Sequence, residues 1–161
     1  MVLLINCTPS NPTTPNTNMP QPKLQFKANG VLINCDAIWS STLGWVKYPQ
    51  IIKDSVTYSN GGVTTLISSH ELNGDDGTGN NNIYLPFLKN QQSFIGTYTS
   101  TGSDCHINGV LYTRGYHTIT ISTISNNSAS GTFSGLIKAY NDTTNIVYLT
   151  EGTFENIPFT N

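Results

Sequence analysis

Apolar and polar residues alternate along this chain from about residue 23 to its end, with the alternation broken at intervals by glycine and asparagine. Leu24, Phe26 and Ala28 alternate with Gln25 and Lys27. Asn29-Gly30 follows, the dipeptide that supplies both positive-φ residues of a type I′ hairpin turn, so Val31 to Ile33 is the expected return strand. Ile51 to Tyr58 and Val63 to Ser69 read as strands around Asn60-Gly61-Gly62. Between Asn73 and Asn82 the chain is almost wholly polar, which predicts a solvated hairpin loop. Ile83 to Leu88 contains Pro86, which has no N–H to give to a ladder, so this strand should lie at an edge or end early.

Phe94 to Thr99 is the next strand, with a loop at Ser100 to Asp104. Val110 to Thr113 and Tyr116 to Ile124 come after it, Ile119 and Ile121 alternating against Thr118 and Thr120. Asn126-Asn127-Ser128 forms a turn. The C-terminal stretch is the clearest of all. Phe133, Gly135, Ile137 and Ala139 fall on one face, Asn141 to Asn145 make a polar turn, and Ile146-Val147-Tyr148-Leu149-Thr150 is rich in β-branched and aromatic residues. Each of these strands carries a Gly-Thr-Phe triplet, at Gly131-Thr132-Phe133 and Gly152-Thr153-Phe154. No window of about 11 residues or more keeps a 3.6-residue period, so helix is not expected. The fold predicted is all-β: a single antiparallel β-sandwich of roughly nine to eleven short strands, with a flattened lipocalin-like β-barrel as the alternative. At 161 residues the chain is long enough to bury one core.

Composition changes the picture in one respect. Only 10% of residues are charged, against about 25% for a soluble domain, and Thr, Ser and Asn supply the polar surface instead. Such a neutral, hydroxyl-rich exterior is that of an extracellular or envelope β-protein. The net charge is −2 and the seven basic residues are scattered. Counterion-release binding needs Lys and Arg clustered on one face, so nucleic acid is not an expected partner.

The N-terminus adds an address. Met1-Val2-Leu3-Leu4-Ile5-Asn6-Cys7 is an apolar run ending at a cysteine, and residues 8–22 hold five of the eight prolines and no charge. This order resembles the end of a bacterial lipoprotein signal peptide, with Cys7 as the acylated residue and residues 8–22 as an extended tether before a domain over 23–161. The apolar run is shorter than a working signal sequence, and Asn6 stands where a small residue is usual. A lipid on Cys7 would hold the protein on a membrane without spanning it. The tether carries no acidic cluster, which favours a periplasm-facing location over surface display.

Candidate chemistry is sparse. Cys35 and Cys105 remain once Cys7 is set aside, and in an oxidising compartment they form a possible disulfide. Closing that 70-residue separation would contribute on the order of 4 kcal/mol in the loop-closure picture. Cys105-His106 with His70 or His117 lacks the short paired spacing of a zinc site, and Asp75-Asp76 lack the spacing and closing Glu of a calcium loop. No nucleophile elbow, phosphate loop or dinucleotide fingerprint occurs, nor does any pair of acids stand out for glycoside hydrolysis. No cofactor and no catalytic residue are assigned. Trp39 and Trp45 read first as core fillers; a cavity lined by Trp39, Trp45 and Tyr112 would instead mark a carrier of a small apolar ligand. Asp54-Ser55-Val56 and Asp142-Thr143-Thr144 match a short acceptor motif for protein O-glycosylation, at Ser55 and, in an exposed turn, Thr143.

Several segments together resemble a family of small uncharacterised Bacteroidota lipoproteins. They are Phe26-Lys27-Ala28-Asn29-Gly30, Gly96-Thr97-Tyr98, Ser130-Gly131-Thr132-Phe133 and the closing Thr150-Glu151-Gly152-Thr153-Phe154-Glu155-Asn156-Ile157-Pro158-Phe159. The likeness covers most of residues 23–159; Gly135 departs from it, and Cys35 and Cys105 are not family features. It implies a short tether, an all-β domain of this size and an envelope address, and it implies no activity. The expectation is therefore a non-enzymatic envelope lipoprotein that serves as a binding or accessory module for an envelope protein or a polar glycan, with the carrier as the alternative.

Overall fold

The computed structural model describes residues 21–160 apart from 41–43, 48, 61–62 and 89–94, without the side chains at 38–40, 44–47, 53–60, 63–69 and 88. Among the described residues there are strands and turns but no helix. The strands are β1 (Lys23–Ala28), β2 (Val31–Asn34), β3 (Ile38–Ser40), β4 (Gly44–Lys47), β5 (Gln50–Asn60) and β6 (Val63–Asp75). They continue as β7 (Asn82–Leu88), β8 (Gly96–Thr101), β9 (Cys105–Ile107), β10 (Val110–Ser125), β11 (Ser128–Ala139) and β12 (Ile146–Thr160).

The all-β expectation holds, but the pairing does not divide into the two sheets of a sandwich. A single ten-stranded sheet runs β11-β10-β9-β7-β6-β5-β12-β1-β2, with β8 on β10, and β12 pairs back onto β11. Seven strands thus close a ring, the arrangement of the barrel alternative. One contact in it is not antiparallel: Phe159 and Thr160 of β12 lie parallel to Ile51 and Ile52 of β5. β3 and β4 form a separate two-stranded sheet.

Local chemistry explains most of these elements. Asn29 and Gly30 both have positive φ, 48° and 84°, as the type I′ turn requires. Asn108-Gly109 and Asn126-Asn127 repeat that geometry at the β9–β10 and β10–β11 connections. The two strands expected at 110–113 and 116–124 are one strand, β10, whose register shifts between Tyr112 and Arg114 and whose Gly115 has φ 138°. Here a bulge bends a strand without ending it. Nor does Pro86 end its strand. β7 pairs with β6 through Glu71↔Pro86 to Ser69↔Leu88, and among the described residues its other side pairs only at Asn82, with His106 of β9.

The expected loop also starts later than Asn73. Asn73, Gly74 and Asp75 belong to β6, and Gly74 is buried where a Cβ would press on Cys35 and Leu24. The loop proper is organised by Asp76, whose Oδ1 accepts from the Thr78 amide and hydroxyl at 2.9 and 2.7 Å and whose Oδ2 accepts from the Asn81 amide at 2.7 Å. Burial pushes the Asp76 carboxyl up, but these hydrogen bonds outweigh it and hold the group below the usual carboxylate range.

The ring is filled from inside. Phe26, Phe87 and Phe154 are wholly buried, together with Leu24, Ile51, Leu72, Ile83, Leu85, Ile119, Ile121, Ile137 and Leu149. The alternation read from sequence puts Leu24, Phe26, Ile119, Ile121 and Ile137 on one face of their strands, and that face is the inner one; a barrel of about eight strands is just wide enough for side chains to fill it.

Candidate functional site

With the apolar half of each strand turned inward, the other half forms an outer face across β8, β10, β11, β12 and β1. Register sets what that face displays. Thr97 of β8 lies opposite Thr120 of β10, Thr120 opposite Thr132 of β11, Thr132 opposite Thr153 of β12, and Thr153 opposite Gln25 of β1. A row of four threonines and a glutamine therefore crosses five strands, at about 4.8 Å per step. Two residues along, about 6.7 Å away, a second row runs Thr99, Thr118 and Ser134. The hydroxyls of Thr97 and Thr120 are 3.0 Å apart and those of Thr99 and Thr118 3.2 Å. A third row holds Thr101, Tyr116, Leu136 and Tyr148, and both tyrosines are more than half exposed.

Thr118, Thr120, Thr132 and Ser134 of these rows line a groove of about 460 Å³ whose floor is Phe133 and Gly152 and whose far wall is Gln25, Glu151 and Thr153. Its shape comes from a bulge in β12. The pairing with β11 shifts between Phe133 and Gly135, the pairing with β1 shifts between Gln25 and Lys27, and Glu151 takes φ 51°, a conformation a non-glycine residue seldom adopts. The extra residue leaves Thr150 and Glu151 both exposed and presses Gly152 inward. A Cβ on Gly152 would stand 2.5 Å from the Phe133 carbonyl oxygen and 2.7 Å from its ring, so only glycine lets the backbone sit over that ring.

Glu151 is the one charged residue in the groove wall. Lys27 reaches it from β1, with Nζ 2.7 Å from Oε2 and 2.8 Å from Oε1. The pair is exposed and contributes little stability, but it cancels the groove's single charge. What remains is a neutral lining of hydroxyls and one amide around the apolar floor at Phe133. Each hydroxyl can donate once and accept twice, so pairing among the threonines leaves unused capacity.

Of the residues singled out from sequence, the described Cys35, Cys105, Tyr112 and Thr143 do not line the groove. Cys7 is outside the described residues. Trp39 and Trp45 face each other as a backbone pair in the β3–β4 sheet, and their side chains are outside the description, as is that of Ser55. Tyr112 is not a groove aromatic: it is 4% exposed in the core, and its hydroxyl donates to Asn145 Oδ1 at 3.3 Å. Thr143 is exposed in its turn, where Asp142 Oδ1 accepts from the amide and hydroxyl of Thr144 at 2.9 and 2.6 Å; those bonds lower the Asp142 pKa.

The proposed disulfide is not formed. Cys35 and Cys105 are both free and fully buried, so they act as small apolar fillers. Burial raises both thiols, Cys105 to about 12. Among the described residues no three His, Cys, Asp or Glu side chains gather to hold a metal ion. His106 sits against Asn82, with Nδ1 3.3 Å from Oδ1, while His70 and His117 are buried inside the ring.

Sequence reasoning missed the groove although it placed Thr118 and Thr120 opposite Ile119 and Ile121. The outward threonines were legible; which strands lie side by side was not. No family model matches the chain, and no curated protein or solved structure matches it either.

Proposed function

We propose that this chain is a non-enzymatic binding module of the cell envelope, anchored through a lipid on Cys7 and facing the periplasm, and that it engages its partner with the outer face of β8, β10, β11, β12 and β1. The observation that carries the binding reading is the neutral, hydroxyl-lined groove over Phe133 and Gly152. It sits on β10, β11 and β12, which pair along most of their lengths, so its side chains are held on an ordered backbone. The address rests on the sequence alone: the apolar run before Cys7, the proline-rich tether and the likeness to small envelope lipoproteins.

A photo-crosslinking residue at Thr132, compared with one at Asp104 outside the groove, tests the face. An adduct formed in intact cells from Thr132 and not from Asp104 is the expected result; equal labelling at both overturns it. The intact mass of protein from native membranes tests the address, since a species beginning at a lipid-modified Cys7 is required.

Closure of the ring favours a second reading, a carrier with a small apolar ligand inside the barrel. Phe26 and Phe133 pack with ring centres 5.8 Å apart, and Phe87 and Tyr98 do so at 5.4 Å. A ligand would have to displace these rings. Extraction of purified protein with organic solvent should therefore release no stoichiometric apolar compound; release of one would favour the carrier.

A further inference from the structure

We propose that the occupant of the outer face is a short neutral oligosaccharide, its hydroxyls on the threonine rows and its sugar rings stacked on Tyr116 and Tyr148. This rests on the reading of that face as the binding surface, and three observations select the chemistry.

The first is the hydrogen-bonding inventory. Thr118, Thr120, Thr132, Ser134 and Thr153 offer groups that both donate and accept, on a grid of about 4.8 by 6.7 Å. A sugar hydroxyl also does both, and neighbouring hydroxyls on a pyranose ring present themselves as a matching series. An anionic ligand would instead need fixed donors such as Arg, Lys or converging backbone N–H groups; the groove lining holds no Lys or Arg, Lys27 beside it is engaged by Glu151, and Arg114 and Lys138 lie one row beyond the tyrosines.

The second is the absence of net charge. With Glu151 paired to Lys27, the groove offers neither sign an electrostatic reason to bind, so a neutral partner desolvates it at the lowest cost.

The third is the aromatic row. Tyr116 and Tyr148 both lie opposite Leu136 on the same outer face, two strand spacings apart, about 9–10 Å. Each is more than half exposed, 56% and 55%. Large apolar rings beside a hydroxyl array suit a ligand with an apolar C–H face and a polar edge, which is the build of a pyranose. The hydroxyls of Thr118, Thr120, Thr132, Ser134 and Thr153 ring the exposed part of Phe133, so the groove pairs a polar rim with an apolar floor as such a ligand requires.

The test is a printed array of neutral and acidic glycans probed with the full chain, followed by titration of the best binder against isotopically labelled protein. A neutral glycan is expected to lead the array and to shift the amides of Thr118, Thr120, Thr132 and Thr153 saturably. Tyr116→Ala and Tyr148→Ala should each weaken binding about tenfold. Tyr116→Phe should retain it, and Tyr140→Ala, an exposed tyrosine beyond the end of β11, should leave it unchanged. An acidic glycan leading the array, binding insensitive to both alanine variants, or no glycan bound at all would each overturn the proposal. If glycans fail while the Thr132 crosslinker captures a protein, the face reading stands and the oligosaccharide falls. If neither gives a result, both fall.

Discussion

The Nε2 of His117 lies 2.6 Å from the carbonyl oxygen of Pro86. The ring nitrogen donates, and the bond joins β10 to β7, two strands that share no backbone ladder among the described residues. Pro86 has no N–H for its neighbours, and its carbonyl is satisfied by a side chain instead. His117 is wholly buried and its Nδ1 has no hydrogen-bond partner among the described residues, so the interior favours the neutral ring.

Acid should therefore weaken the fold through this residue. Burial lowers the His117 pKa despite the bond to Pro86. Below the ordinary imidazole value of about 6.5 the unfolded chain takes up a proton that the folded chain refuses. Stability is unaffected above that value and falls as pH drops from it towards the lower folded pKa. His117→Gln keeps a donor for Pro86 without titrating, so the difference in Tm between wild type and variant should change with pH between about 6.5 and 5. A constant difference across that range would refute the assignment. His117→Ala, which strands the Pro86 carbonyl, should cost about 1–3 kcal/mol at neutral pH.

Gly152→Ala should destabilise by about 1–3 kcal/mol, because the added methyl meets backbone and ring atoms of Phe133 that have nowhere to go. Urea unfolding gives the number. The same variant should distort the groove floor, so it serves as a stability reference and never as a binding control.

Cys35 and Cys105 should resist alkylation at pH 8 in the native protein and react fully in denaturant, since only the thiolate attacks and burial disfavours it at both. Mass spectrometry after labelling in denaturant should count two modified residues in residues 21–160. Loss of two hydrogens and no labelling would show a disulfide instead.

Asn29→Ala should cost about 1–2 kcal/mol. The residue holds φ 48°, where alanine is strained, and its Oδ1 accepts from the Tyr148 amide at 2.9 Å. Asn29→Gly should restore the backbone term alone, leaving a smaller loss measurable in the same denaturant series.

These contrasts also mark how far residues alone could be read. Inward and outward positions were legible because a strand's period is 2: Phe133 and Ile137 went inside, and Thr118 and Thr120 outside. Turn chemistry was legible at Asn29-Gly30 for the same kind of local reason. Lateral order was not, because nothing in β8 says that Thr97 will lie beside Thr120, nor anything in Gln25 that it will close a row begun 72 residues away at Thr97. The β12 bulge escaped notice because Glu151 adopts a conformation its residue type disfavours. Tyr112 stayed open as a possible ligand aromatic because composition cannot tell a tyrosine whose hydroxyl meets Asn145 from one facing a cavity. The cysteine pair was read from compartment logic, where burial sites govern.

The last strand bears on how the chain reaches this state. One edge of β12 is divided between β1 and the start of β5, while its other edge carries β11. During synthesis β1 and the β5–β6 hairpin must wait with open edges until β12 has left the ribosome. Closure joins Lys23 to Glu155 and Ile51 to Phe159, contacts more than a hundred residues apart, and such pairings fold slowly. The ring is thus completed only when β12 docks, and a chain lacking β12 leaves β1, β5 and β11 each with an open edge.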